Sequence, residues 1–156
     1  MHRVYVALGS NVGHRETYLR AAIDQLNQHA SVWVLRESAF VNTTAVSVER
    51  QADYLNAVIE LDTQLDVFDF FALTQSVERS LGRERKGDKA PRTIDLDVLF
   101  YDDRVLTGTH LQVPHVSLHE RLFVLEPLKE LVPDFVHPVL KQSVRALYDQ
   151  AYEMDL

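Results

Sequence analysis

The sequence predicts an α+β fold, a ferredoxin-like α/β/α sandwich built on a mainly antiparallel sheet with helices on its faces. Three observations lead there. The elements read strand–helix–strand, strand–helix–strand, then a mixed tail. Apolar residues switch between period two and period 3.6 at polar or glycine-containing boundaries. No repeat, low-complexity segment or linker interrupts the chain, so residues 1–156 are expected to form one domain. The element order by itself places the helices on one face and leaves the other sheet face free for a site.

"RVYVALG" is a short apolar run ended by glycine, a strand at about 3–8. "GSNVG" reads as a turn. It lacks the G-K-[ST] of a P-loop and the spacing of G-x-G-x-x-G, so it is not a phosphate cradle. The helix that follows carries Tyr18, Leu19, Ala22, Ile23 and Leu26 on one stripe. "SVWVLRESAF" is a second strand, and the aperiodic, polar 42–52 is a loop. In "DYLNAVIELDT" Leu55, Ala57, Ile59 and Leu61 share one face, and Tyr54, Asn56, Val58 and Glu60 the other. Asp66 caps a helix that Gly82 stops. Its core stripe is Phe70, Leu73, Val77 and Leu81, beside a partly polar stripe of Phe71, Gln75 and Glu78. After a charged loop comes the strand "TIDLDVLFY", then a hairpin or meander through 102–114. "SLHE" has capping-box form and predicts a short helix at 117–120. Pro127 is expected to start another, "PLKELV", and "LKQSVRALYDQ" forms a last helix.

Composition narrows the function. A net charge of −7 argues against a nucleic-acid binder. Six of the 16 basic residues nevertheless lie between Arg79 and Arg92, a local patch suited to a small anion. The absence of cysteine excludes disulfides and thiolate metal sites. There is no membrane-length apolar run and no signal-peptide pattern at the N-terminus, so a cytoplasmic location is the expectation.

The chemistry centres on "APRTIDLDVLFY". On a strand, Ile94, Leu96, Val98 and Phe100 point into the core, and Asp95, Asp97, Leu99 and Tyr101 point the other way. The two carboxylates then stand about 6.5–7 Å apart on one face. Like charges so placed call for a cation. Mg²⁺ takes oxygen ligands and is commonly held by one or two carboxylates together with substrate phosphates. Arg83, Arg85, Lys86, Lys89 and Arg92 supply the phosphate-binding charge beside them. Tyr54 and Asn56 put an aromatic and an amide on one strand face, a pairing suited to a flat heterocycle. Asn11, in the turn after the first strand, is a further candidate for that side.

These motifs resemble the 6-hydroxymethyl-7,8-dihydropterin pyrophosphokinase family of folate biosynthesis. The likeness runs through "VALGSNVG", "DYLNAV", "ERSLGRERK", "APRTIDLDVLFY", "VPH" and "RLFVLEPLKELVPD". It implies a ferredoxin-like α/β/α core, ATP as co-substrate, transfer of pyrophosphate to the pterin hydroxymethyl group, and release of AMP. It assigns Asp95 and Asp97 to two Mg²⁺ ions bridging the ATP phosphates. Arg83, Arg85, Arg92, His115 and Arg121 fall at phosphate-side positions. Gln75 and Glu78 fall on the nucleotide-side helix face, and Val98 and Leu111 in the adenine pocket. Asn56 and Thr43 fall on the pterin, with Tyr54 and Phe123 flanking its ring. The expected partners are the two small-molecule substrates, with no nucleic acid, no membrane and a monomeric chain.

The sequence departs from the family pattern in three places. "FVNTTAVSVERQA" has neither proline nor glycine, Lys89 and Ala90 stand where tryptophan and glycine are usual, and Val116 follows "VPH". Two rival classes use the same residues: another Mg-dependent phosphotransfer enzyme, and a relative that binds nucleotide or pterin without turnover. Product analysis separates them.

Overall fold

The computed structural model describes residues 1–43, 53–82 and 94–154. Five strands, all paired antiparallel, form the main sheet: β1 (His2–Ser10), β2 (Val32–Glu37), β3 (Val41–Thr43), β4 (Tyr54–Thr63) and β5 (Asp95–Tyr101). The order is β2-β4-β1-β5, with β3 pairing the other half of the same β4 edge. β6 (Leu106–Thr107) and β7 (Gln112–Val113) pair as a hairpin, one of the two readings for 102–114.

Two cores lie on the two sheet faces. Helices α1 (Arg15–Gln28) and α2 (Val67–Ser80) cover one, where Leu19, Ile23, Leu26, Phe70 and Val77 pack on Val4, Val6, Leu8, Ile59 and Leu61. Helices α3 (Leu122–Leu131) and α4 (Val144–Met154) cover the other, through Val124, Leu125, Leu128, Val144 and Leu147 against Tyr5, Val58 and Phe100. The α/β/α sandwich is therefore present, and the sheet face expected to stay free is occupied. An apolar strand face next to water has no partner for its buried area, and the tail helices supply one.

The alternation read for β4 holds. Leu55, Ala57, Ile59 and Leu61 join the α1–α2 core, while Val58 joins the other. Glu60 shares the Val58 face and is buried there. Its carboxylate accepts from Tyr5 Oη at 2.6 Å and from Arg36 Nε and Nη2 at 3.0 Å. Arg36 Nη2 also donates to Leu131 O at 2.8 Å, tying the end of α3 to the sheet. Burial alone would push the Glu60 carboxyl up. The hydrogen bonds from Arg36 and Tyr5, with the charges of Arg36 and Arg3, outweigh it and hold the carboxyl below its ordinary range.

On β5 the expected faces hold only as far as Leu99. Val6 pairs with Val98 and Tyr5 with Phe100, so Leu99 is an extra residue with no opposite number. This bulge turns the strand over. Ile94, Leu96, Val98 and Tyr101 pack in the α1–α2 core, and Leu99 and Phe100 in the α3–α4 core. Phe100 and Tyr101 thus lie on faces opposite to those expected from strict alternation.

Other local readings divide. Asp66 caps α2, accepting from Asp69 N at 2.8 Å, and Gly82 follows the helix with φ 100°. The run 31–40 is not one strand, because β2 ends at Glu37 and β3 begins at Val41. Ser117 makes no capping bond, and "LHE" forms only a 3₁₀ turn. Pro127 lies inside α3, which starts at Leu122. Burial of Val124, Leu125, Leu128 and Leu131 overrides the helix-breaking cost of about 3 kcal/mol.

Candidate active site

Register across the sheet builds the site. Asp95 pairs with Gly9, Gly9 with Asn56, and Asn56 with Val41, so four strands contribute one row. The next row runs Asp97, Ala7, Val58. Since Ile94, Leu96 and Val98 enter the α1–α2 core, Asp95 and Asp97 emerge together on the other face. The two aspartates therefore share one face of β5, as the period of two predicts. Strand spacing sets Asp95 and Asn56 about 9.6 Å apart at the backbone. Between them lies a glycine, which leaves a side-chain-free slot.

The slot has defined walls. Asn56 is buried and its Nδ2 donates to Thr43 Oγ1 at 2.7 Å, which fixes the amide. Tyr54 shares the Asn56 face, and a Cβ placed on Gly9 would lie 3.2 Å from Asn56 Oδ1 and 3.5 Å from Tyr54 Cδ1. Asn11 is buried just beyond the end of β1, in the turn that Gly13 completes at φ 66°. Phe123, in the first turn of α3, packs against the α3–α4 core on this same face, with the Arg121 guanidinium 5.8 Å from its ring centroid.

The second feature is a cavity of about 220 Å³ at the outer edge of β5. Val98 and Leu111 line it, and it reaches Asp97 and His115. His115 is bound to β5 through its backbone, its N donating to Leu99 O at 3.0 Å. Its Nδ1 accepts from Ser117 N at 3.2 Å, so in the neutral ring the proton sits on Nε2. That nitrogen stands 4.0 Å from Asp97 Oδ1.

Sequence reasoning missed two participants. Phe71 lines the cavity, and Gly9 forms the floor of the slot. The signal for Phe71 was its place on the stripe with Gln75 and Glu78. Neither Gln75 nor Glu78 lines this cavity, and Glu78 is buried against β5 instead. Arg83, Arg85 and Arg92, with Lys86 and Lys89, lie outside the described residues, as does most of loop 42–52.

Comparison with known proteins settles the family. The profile of 7,8-dihydro-6-hydroxymethylpterin-pyrophosphokinase (HPPK) matches residues 5–133. The chain belongs to the HPPK family. A 2-amino-4-hydroxy-6-hydroxymethyldihydropteridine pyrophosphokinase of Bacillus subtilis is 44% identical over 146 residues, covering 94% of this chain and 85% of the relative. One from Aquifex aeolicus is 34% identical over 145 residues, covering 93% and 89%. The fold is also that of HPPK in solved structures. The chain superposes on an HPPK-DHPS crystal structure with a TM-score of 0.76 at 12% identity, covering 99% of this chain and 44% of that one. It spans less than half the length of that two-part protein. Among the described residues, no helix is long and apolar enough to cross a membrane.

Proposed function

We propose that this chain transfers pyrophosphate from ATP to the hydroxymethyl group of 6-hydroxymethyl-7,8-dihydropterin and releases AMP, as a step of folate biosynthesis. Family membership supports the reaction. The row Asp95–Gly9–Asn56 is the observation that supports the assignment of residues, because it sets a carboxylate and a buried amide on either side of a glycine.

The donor set suits a hard divalent cation. Asp95 and Asp97 offer only oxygen, from one strand face beside an open cavity, and Mg²⁺ completes its shell with water and phosphate. These two residues would hold Mg²⁺, as two ions with ATP. When bound, Mg²⁺ neutralises phosphate charge and favours attack at phosphorus.

The chain's own residues do the rest. Phe71, Val98 and Leu111 hold the base in the cavity. His115 Nε2–H is aimed where a phosphate oxygen would lie beside Asp97. Arg121 faces the same ligand, and Arg83, Arg85 and Arg92 add charge from the loop before β5. Thr43 orients Asn56, which reads the pterin edge with Asn11 nearby, and Tyr54 and Phe123 flank the ring. The pterin hydroxymethyl oxygen attacks the β-phosphorus and gives up its proton to solvent, the bond to the α-phosphate oxygen breaks, and AMP leaves. Catalysis is positioning and charge neutralisation. The proposed setting is the cytoplasm, with the single chain as the working unit.

The test is AMP release with and without hydroxymethyl-dihydropterin, for the wild type and Asp97→Ala. AMP formation should require the pterin, and the substitution should lower turnover at least about a hundredfold. Pterin-independent AMP release, or a near-normal rate for Asp97→Ala, would overturn the assignment.

A further inference from the structure

Glu78 stands apart from the cavity it was expected to serve. It is 3% exposed, and its Oε2 accepts a 2.8 Å hydrogen bond from Leu96 N. Leu96 is the residue between Asp95 and Asp97. In the main sheet β5 is a terminal strand, paired with β1 on one side. Along such a strand alternate amides turn outward, away from the ladder. The Leu96 amide is one of these and is buried, so it must find an acceptor within the protein. Helix α2 provides that acceptor as a carboxylate, the stronger kind. Three residues further on, the outer edge is held again, where His115 N donates to Leu99 O at 3.0 Å. The two bonds bracket Asp97.

We propose that Glu78 is a positioning residue, whose buried carboxylate fixes the Asp95–Leu96 peptide and thereby aims Asp95 and Asp97 into the cation site. The Leu96 N–H belongs to the peptide that joins the Asp95 and Leu96 Cα atoms, so a free rotation of that peptide would swing the Asp95 Cα–Cβ bond directly and shift Asp97 through the next peptide of the strand. The proposal rests on the reading of Asp95 and Asp97 as the cation site.

The experiment uses Mn²⁺ as the probe, its binding followed by electron paramagnetic resonance in the presence of α,β-methylene-ATP. The variants are Glu78→Gln, Glu78→Asp and Glu78→Ala, with Asp97→Asn as the control. Glutamine keeps an oxygen acceptor at the same reach and gives up the charge. Aspartate keeps the charge and draws the acceptor back by one methylene. Partners that orient metal ligands typically contribute about 10- to 100-fold in metal affinity. Glu78→Ala and Glu78→Asp should therefore weaken Mn²⁺ binding about tenfold or more, and Glu78→Gln by less than either. The metal-free affinity for the analogue should stay constant across the series. In the amide spectrum of the labelled protein, the Leu96 signal should move in Glu78→Asp more than in Glu78→Gln.

The order Asp above Gln would overturn the proposal, since it would mean that the charge, not the bond, is what matters. Unchanged Mn²⁺ affinity in Glu78→Asp would overturn it too, and that comparison stands even if Glu78→Ala does not fold. Unchanged affinity in Asp97→Asn would instead remove the cation-site reading itself, and the proposal with it.

Discussion

Replacing Gly9 by alanine tests the slot directly. The backbone at Gly9 is an extended strand, so alanine fits the conformation. The added methyl meets Asn56 Oδ1 at 3.2 Å and Tyr54 Cδ1 at 3.5 Å. Asn56 has little freedom to retreat, because its other amide atom is bound to Thr43 Oγ1 at 2.7 Å. In the free protein, restricting the unfolded chain contributes about 0.4–1 kcal/mol in favour of the variant. This offsets the crowding, so the melting temperature should change little. With ligand present, the methyl occupies the floor on which the pterin would lie. Overfilling a packed site costs about 1–3 kcal/mol, equivalent to roughly 5- to 150-fold in affinity. Calorimetric titration of hydroxymethylpterin into the protein with α,β-methylene-ATP measures this. The affinity for the analogue without pterin should stay within about twofold, since the cavity proposed for the nucleotide lies at the outer edge of β5. Undiminished pterin affinity in a folded Gly9→Ala protein would refute the placement of the slot.

Two further outcomes are expected. Phe71→Ala should weaken analogue binding by about 1–3 kcal/mol, the usual contribution of an aromatic contact to a base, and leave metal-free pterin binding unchanged by calorimetry. Glu60→Gln should lower stability at pH 7 by about 2 kcal/mol in urea denaturation, a figure discounted because Arg36 is half-exposed. The Glu60 carboxyl is depressed in the folded protein. Its contribution is therefore complete above the ordinary glutamate pKa of about 4.3 and is lost as pH falls through the lower folded value. The variant should lose that part of the acid dependence, and parallel stability profiles for the two proteins below pH 5 would exclude the cluster as its source.

The features legible in the sequence are those set by local periodicity. The two faces of β4 and the pairing of Asp95 with Asp97 follow from a period of two, and the Asp66 cap from one side chain beside its own helix. The features that escaped depend on distant partners. The extra residue at Leu99 exists only relative to β1, and nothing within "DLDVLFY" marks it. Pro127 signals a helix start, but the apolar contacts of α3 with the sheet decide where the helix begins. The serine of "SLHE" has capping form, yet the chain turns into α3 before a longer helix can grow from it. In the site, Gly9 reads as part of a turn because its value lies in what stands beside it on β4 and β5. Phe71 reads as a helix residue like its neighbour Phe70, and only the 109–116 segment folding opposite gives it a cavity to line.

The bulge at Leu99 gives β5 two reading frames. In the first, acids alternate with aliphatic residues, so that one end of the strand is polar on one side only. In the second, a ring is delivered to each layer: Phe100 into a cluster of aromatics with Tyr5, Phe135 and His137, and Tyr101 toward Leu65, whose carbonyl accepts a hydrogen bond from its hydroxyl at 2.5 Å. With a single frame throughout, the phenol of Tyr101 would share a side with the aspartates and the phenyl of Phe100 would crowd the aliphatic layer. One inserted residue lets a single edge strand serve as an anchor at one end and a charged tip at the other.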